Sequence, residues 1–346
     1  MIGDVWLCSG QSNMAFGLTS KNEFGGDAQA ATTVPAANDP QMRLFVVDNK
    51  TSLGPLSDLG GAWKVCTPDS VAHFSAVAYY FGRELRTVLK RPIGLIVSAW
   101  GGTNSVAWTS LDALKKDPQL RPSLNTYEKN KANFAKNTAD YPARTAAFRS
   151  DLAMWQTNVG NAFNEQMKTW YAAARQAKLA GQPLPPAPVP ATPAPVPPNP
   201  PDGGSAGPSN LFNGMIAPLI PLAIKGVIWY QGEANTGRPT EYRVDFGDMI
   251  TDWRQHWNEG DFPFLFVQLA AFKAGVVQSW AFLREGQLQT LALPNTGMAT
   301  AIDIGDWGNV HPQDKLDVGR RLGGGFQPAG AESGCGPLRL GQLAAR

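Results

Sequence analysis

The chain has 346 residues, 30 Lys and Arg against 28 Asp and Glu, and a formal net charge of +2. That length suffices for one large core with an insertion, and the charge gives no strong field for a nucleic acid or other polyanion. Basic clusters at 83–91 and 129–136 fall on helical patterns and read as solvated helix faces, and no apolar run approaches the ~18 residues of a membrane span. Cys8, Cys66 and Cys335 lack metal-ligand spacing, so free core thiols are expected rather than a disulfide framework or a metal centre.

In chain order, short apolar strands are predicted at 5–8, 44–47, 95–99, 227–229, 265–269 and 299–302. Between them lie amphipathic helices, for example Phe74, Val77, Ala78, Phe81 and Leu85, or Tyr242, Phe246, Met249, Ile250, Trp253 and Trp257. Near-continuous apolar strands alternating with such helices argue a parallel sheet covered on both faces, a three-layer α/β/α sandwich. An insertion at 111–210 interrupts the alternation. Its aromatic and Met positions at 127–180 predict two long helices packed as a hairpin with that stripe as core. The Pro- and Ala-dominated stretch 183–201 predicts an extended, semi-rigid connector.

Four segments carry chemistry, each directly after a predicted strand. Ser12 lies in Ser9-Gly10-Gln11-Ser12-Asn13-Met14, where Gly10 permits a positive φ and close backbone approach. Ile96-Val97-Ser98-Ala99-Trp100-Gly101-Gly102-Thr103 can offer bare backbone N–H groups to an oxyanion. Trp229-Tyr230-Gln231-Gly232-Glu233-Ala234-Asn235 opens onto a polar cluster, and Ile302-Asp303-Ile304-Gly305-Asp306-Trp307-Gly308-Asn309-Val310-His311-Pro312 brings two carboxylates and an imidazole. Of three histidines, His256 reads as a partly exposed helix residue and His73 as a helix start, leaving His311 as the candidate base for a serine hydroxyl. On one rim of a parallel sheet these segments can converge.

Taken together, Gly-Gln-Ser-Asn-Met, Trp-Gly-Gly-Thr, Gln-Gly-Glu-x-Asn and Asp-x-x-x-x-His-Pro, in this order, resemble the sialate O-acetylesterase-like carbohydrate esterases of the SGNH hydrolase superfamily. The resemblance runs from Gly3 to Leu322, with 323–346 as an irregular tail broken from a helix start by Gly323-Gly324-Gly325. It implies an SGNH/flavodoxin-like sandwich and a serine esterase that removes O-acetyl groups from carbohydrates through an acyl-serine intermediate, with no metal or cofactor. Ser12 would be nucleophile and His311 general base, activity rising through roughly pH 6 to 7 as the imidazole loses its proton. The Ser12 and Gly102 backbone N–H groups and the Asn235 side chain would form the oxyanion hole.

The acid is open: the position three before His311 is Gly308, Asp306 is preferred, Asp303 is expected buried at the strand end, and a Ser–His dyad remains an alternative. Gln11, Gln231, Glu233 and Trp100 are candidate contacts to an acetylated sugar, with Trp108, Trp229 and Trp307 as further aromatics and Trp229 better read as core. A lipase- or thioesterase-type hydrolase and a non-catalytic carbohydrate-binding module are the competing readings. The first strand follows Met1 too closely for a signal peptide, and family members are often exported, so upstream sequence is expected to be missing.

Overall fold

The structure is a computed structural model describing residues 2–22, 25–272 and 277–325. Its strands are β1 (Asp4–Gly10), β2 (Lys21–Asn22), β3 (Gly25–Gly26), β4 (Asp39–Val46), β5 (Lys64–Cys66), β6 (Ile93–Ala99), β7 (Gly226–Tyr230), β8 (Phe264–Val267) and β9 (Thr296–Ala299). Apart from the β2–β3 ladder they form one seven-stranded sheet in the order β5-β4-β6-β1-β7-β8-β9, parallel throughout except for the edge strand β5. The last strand lies three residues earlier than expected, and β5, short and largely exposed, lacks the apolar run that marks the others.

The helices are α1 (Ser12–Ala15), α2 (Ala30–Ala36), α3 (Pro68–Ala72), α4 (Ala76–Leu89), α5 (Leu111–Lys116), α6 (Arg121–Trp155), α7 (Asn161–Leu179), α8 (Pro239–Trp257), α9 (Val277–Gln289) and α10 (Lys315–Gly325). α4 packs with α10 and α8 with α9, giving a helical layer on each face of the sheet. Trp6 of β1 meets Phe81 of α4 edge-on, while Trp229 of β7 is enclosed by Trp108, Phe246 and Trp253. Such aromatic contacts dominate the core energetics. Trp108 and Trp229 are fully buried, so both are core residues and neither reaches a ligand. Cys8 and Cys66 are buried free thiols; Cys335 and the tail beyond Gly325 lie outside the described residues, and α10 itself runs on through Gly323 and Gly324.

The chain leaves β1, builds β4 and β6 on one side of it, then crosses to β7 on the other. Neighbouring strands whose connections diverge leave a crevice at their carboxyl ends, the usual ligand position in an open α/β sheet. Here that crevice lies between the ends of β1 and β7.

The insertion differs from its expected form. α6 continues through a single π-helical turn, Gln156–Gly160, into α7, so 121–179 is one helical rod instead of two antiparallel helices. Its partner is the Pro-rich segment. Trp170 Nε1 donates to the Pro185 carbonyl (3.0 Å) and Trp155 Nε1 to the Thr192 carbonyl (2.9 Å). Helix from Trp170 back to Trp155 rises about 22 Å, and polyproline-like chain from Pro185 to Thr192 advances about 22 Å, so the two keep step. The stripe read as core is half-buried on this surface, and Phe134 is exposed. A proline-rich chain has no N–H ladder to offer a sheet, but its free carbonyls suit indole donors.

Candidate active site

β1 ends at Gly10, whose φ of +134° turns the chain so that Ser12 opens α1. The turn is fixed by backbone bonds from both flanking strands. Gln11 N donates to the Tyr230 carbonyl (3.0 Å), and Trp100 N donates to the Gly10 carbonyl (3.1 Å). Gly101 lies against Ser12: a Cβ there would stand 3.3 Å from Ser12 Cβ. Gly102, with a φ of +76°, has open space around it.

The segments after β6 and β7 are tied to each other. Asn235, fully buried, accepts at Oδ1 from Ser105 N (3.0 Å) and Gln231 Nε2 (2.6 Å), and its Nδ2 donates to Ser105 Oγ (3.1 Å). One Nδ2 hydrogen remains beyond these bonds. Gln231 also donates to the Thr103 carbonyl (3.0 Å), and Gln11 Oε1 accepts from Gly232 N and Ala234 N at 3.4 and 3.3 Å. Both glutamines, named as sugar contacts, are buried and bond to protein groups. Trp100 is half-buried at the rim.

The histidine segment reaches the serine turn through Asn13. Its Nδ2 donates to the carbonyl of Val310 (3.0 Å), adjacent to His311, and to Glu233 Oε1 (2.6 Å). Its Oδ1 accepts a hydrogen bond from Lys315 Nζ. Phe16, one turn after Ser12, stacks on the His311 ring with centroids 6.1 Å apart and planes 24° apart. Residues at the amino and carboxyl ends of the described chain thus meet over the β1–β7 crevice, and with Gly101 against Ser12 all four motif segments share one site. Burial raises the Glu233 pKa, against the lowering effect of the Asn13 bond and Lys315. Burial pushes Lys315 down to about 7.

The two acids part company. Asp303, expected to be buried, is 59 % exposed and makes a bidentate pair with Arg321 at 2.6 Å, which lowers its pKa. The strand ends earlier than the sequence suggests, so Asp303 lies beyond it on the surface. Asp306 sits in a tight loop closed by an antiparallel bridge to Asn309; its Oδ1 accepts from Gly308 N (2.9 Å), and the Asn309 Oδ1 accepts from His311 N (2.9 Å). The bridged loop leads directly into His311. Beside it opens a groove of about 820 Å³ lined by Trp307, 67 % exposed, and by Pro183 and Leu184 from the start of the Pro-rich segment.

The other histidines are accounted for. His73 ends α3 rather than starting a helix, with its Nδ1 3.2 Å from Thr19 Oγ1. His256 has a partner the sequence did not suggest: Asp252, 3.1 Å away, whose hydrogen bond raises the imidazole pKa. Asn13 and Lys315 are the residues whose part sequence reasoning missed. Asn13 stood inside a motif without a role, and nothing in a lysine at a helix start announces burial.

A three-layer sandwich with this strand order and these segments on its carboxyl rim defines an SGNH-type hydrolase fold. Residues 209–324 match the family model "Carbohydrate esterase, sialic acid-specific acetylesterase". Over 93 % of its length the chain is 29 % identical to a sialate O-acetylesterase of Mus musculus and 28 % identical to that of Homo sapiens, covering 55 % and 52 % of them. It therefore spans about half the length of the curated relatives it matches. A solved structure of a carbohydrate acetylesterase from Xanthomonas citri superposes with a TM-score of 0.65 at 34 % identity, covering 93 % of this chain and 55 % of that one. The resemblance drawn from the four motif segments is borne out: the chain is related to the sialate O-acetylesterase-like carbohydrate esterases.

Proposed function

We propose that the protein is a serine esterase that removes O-acetyl groups from carbohydrates, with Ser12 as nucleophile and His311 as general base. The observation that carries this reading is that Asn13, next to Ser12, donates to the Val310 carbonyl, next to His311, and accepts from Lys315 beyond it, with Phe16 stacked on the imidazole. Ser12 Oγ attacks the acetyl carbon and passes its proton to His311. The oxyanion is met by the N–H groups of Ser12 and Gly102 and by the remaining Asn235 Nδ2 hydrogen. The sugar oxygen leaves with the proton from His311, and water, deprotonated by the same imidazole, releases acetate from acetyl-Ser12.

Asp306 is assigned to orient the imidazole, because it lies in the bridged loop that leads into His311 while Asp303 is engaged by Arg321. The half-buried Trp100 and the groove beside Asp306 supply surface for a pyranose ring, and the acetylated carbohydrate of the relatives' names is the substrate class. Acetate release from p-nitrophenyl acetate and from acetylated glycans tests the assignment. Ser12→Ala and His311→Ala should abolish it. Asp306→Asn, which keeps the Oδ1 that accepts from Gly308, should lower turnover far more than Asp303→Asn; equal, small effects would leave a dyad. A steep preference for long acyl chains over acetate would redirect the reading to a lipid or thioester hydrolase.

A further inference from the structure

We infer that Lys315 is a positioning residue of this site: through the carboxamide of Asn13 it holds the His311 segment and Glu233 against the Ser12 turn. The inference rests on the roles proposed for Ser12 and His311.

Lys315 opens α10 and is 0 % exposed. Its Nζ donates to Asn13 Oδ1 and stands 5.3 Å over the Phe16 ring and 5.4 Å over the Tyr230 ring. A lysine side chain only donates, so it fixes which end of the carboxamide faces it. Asn13 must present oxygen to Lys315 and both Nδ2 hydrogens away from it. Those hydrogens go to Glu233 Oε1 and to the Val310 carbonyl. Were the amide reversed, N–H would face N–H, and a carbonyl oxygen would face both a carboxylate and a carbonyl.

One side chain therefore staples the histidine-bearing segment twice, at Val310 and at Lys315, with His311 between the two points. The Phe16 ring lies under the lysine and also stacks on His311, so it is braced against the same pair. Packing alone does not call for a lysine here. A buried ammonium is costly where an aliphatic side chain of similar length would fill the same space. The acids around it, Glu233 and Asp27 from other segments and the adjoining Asp314, offset only part of that cost.

The test uses p-nitrophenyl acetate with the full chain. Lys315→Met keeps length and removes the donor; kcat should fall about 30-fold or more with KM within about threefold, as expected when reacting groups are misplaced by a fraction of an ångström to about 1 Å. Lys315→Gln, which retains an N–H donor, should recover at least tenfold over the Met variant, a rescue that a space-filling role would not give. Asn13→Ala combined with Lys315→Met should be no slower than the slower single variant, because both act through one carboxamide. Should Lys315→Met fail to fold, Lys315→Gln against Asn13→Ala still decides: Gln must stay the faster. Turnover of Lys315→Met within threefold of wild type, or additive losses in the pair, overturns the inference while leaving Ser12 and His311 in place. Full activity in Ser12→Ala overturns both.

Discussion

Replacing Gly10 with Ala tests the geometry on which the site stands. A Cβ at Gly10 would lie 2.2 Å from the Tyr230 carbonyl oxygen and 2.7 Å from its carbon, and the φ of +134° is one that residues with a side chain rarely adopt. To restore ordinary contact, β1 and β7 must part by roughly 1 Å at their carboxyl ends. That strains or breaks the bond from Gln11 N to the Tyr230 carbonyl. Backbone strain of about 1–3 kcal/mol, a hydrogen bond of about 1 kcal/mol and the residual clash together predict a loss of about 3–5 kcal/mol. That is a large share of the ~5–15 kcal/mol that holds a typical domain folded. Urea unfolding measures it, with Gly54→Ala as control, since nothing lies within 4 Å of a Cβ there. Ser12 follows two residues later, so any folded Gly10→Ala protein should also lose turnover about a hundredfold. A midpoint equal to that of Gly54→Ala, with wild-type turnover, would refute the account of how the turn is built.

Three further outcomes are expected. Gly101→Ala places a methyl 3.3 Å from Ser12 Cβ without any left-handed backbone requirement; turnover should drop about tenfold or more while the melting temperature stays near wild type, and a stability loss with full activity would contradict the placement. Trp155→Phe and Trp170→Phe each delete an indole donor to the Pro-rich segment, worth about 1 kcal/mol apiece; thermolysin should then cut near Val189 and Val196 several-fold faster, with cleavage unchanged if the segment does not dock on the rod. Asp245, buried with Oδ2 unpartnered among the described residues, has its pKa raised to about 7 by burial. A raised carboxyl stabilises the fold below the ordinary carboxylate range, and that contribution disappears as pH climbs through about 7. Asp245→Asn should flatten the fall in the urea midpoint between pH 5 and pH 8, and parallel curves would show that Asp245 does not titrate there.

The fold was largely legible because its signals are local. Five of the six expected strands coincide with runs such as Leu95 to Ala99, which are apolar because both faces of a parallel sheet are covered. α4 and α8 show the helical period of their apolar faces. The insertion misled for a physical reason: aromatic positions at helical spacing report that a face is covered, not what covers it. Trp155 and Trp170 are satisfied by carbonyls of a proline-rich segment instead of a second helix. Asp303 misled similarly, since the run Ala299 to Ile302 did not reveal that pairing stops at Ala299.

Residue types and their order along the chain determined the layered sandwich, the four rim segments and the candidacy of Ser12 and His311, because strand period and turn chemistry are set by near neighbours. Tertiary structure alone decided that Asn13 joins Val310, Glu233 and Lys315, that Gln11 and Gln231 turn inward to protein partners, and that Arg321 takes Asp303. These are contacts across as many as 302 positions of sequence. A polar side chain's partner is whatever group the converging strands bring within about 3 Å of it, and no periodicity in the chain encodes that meeting.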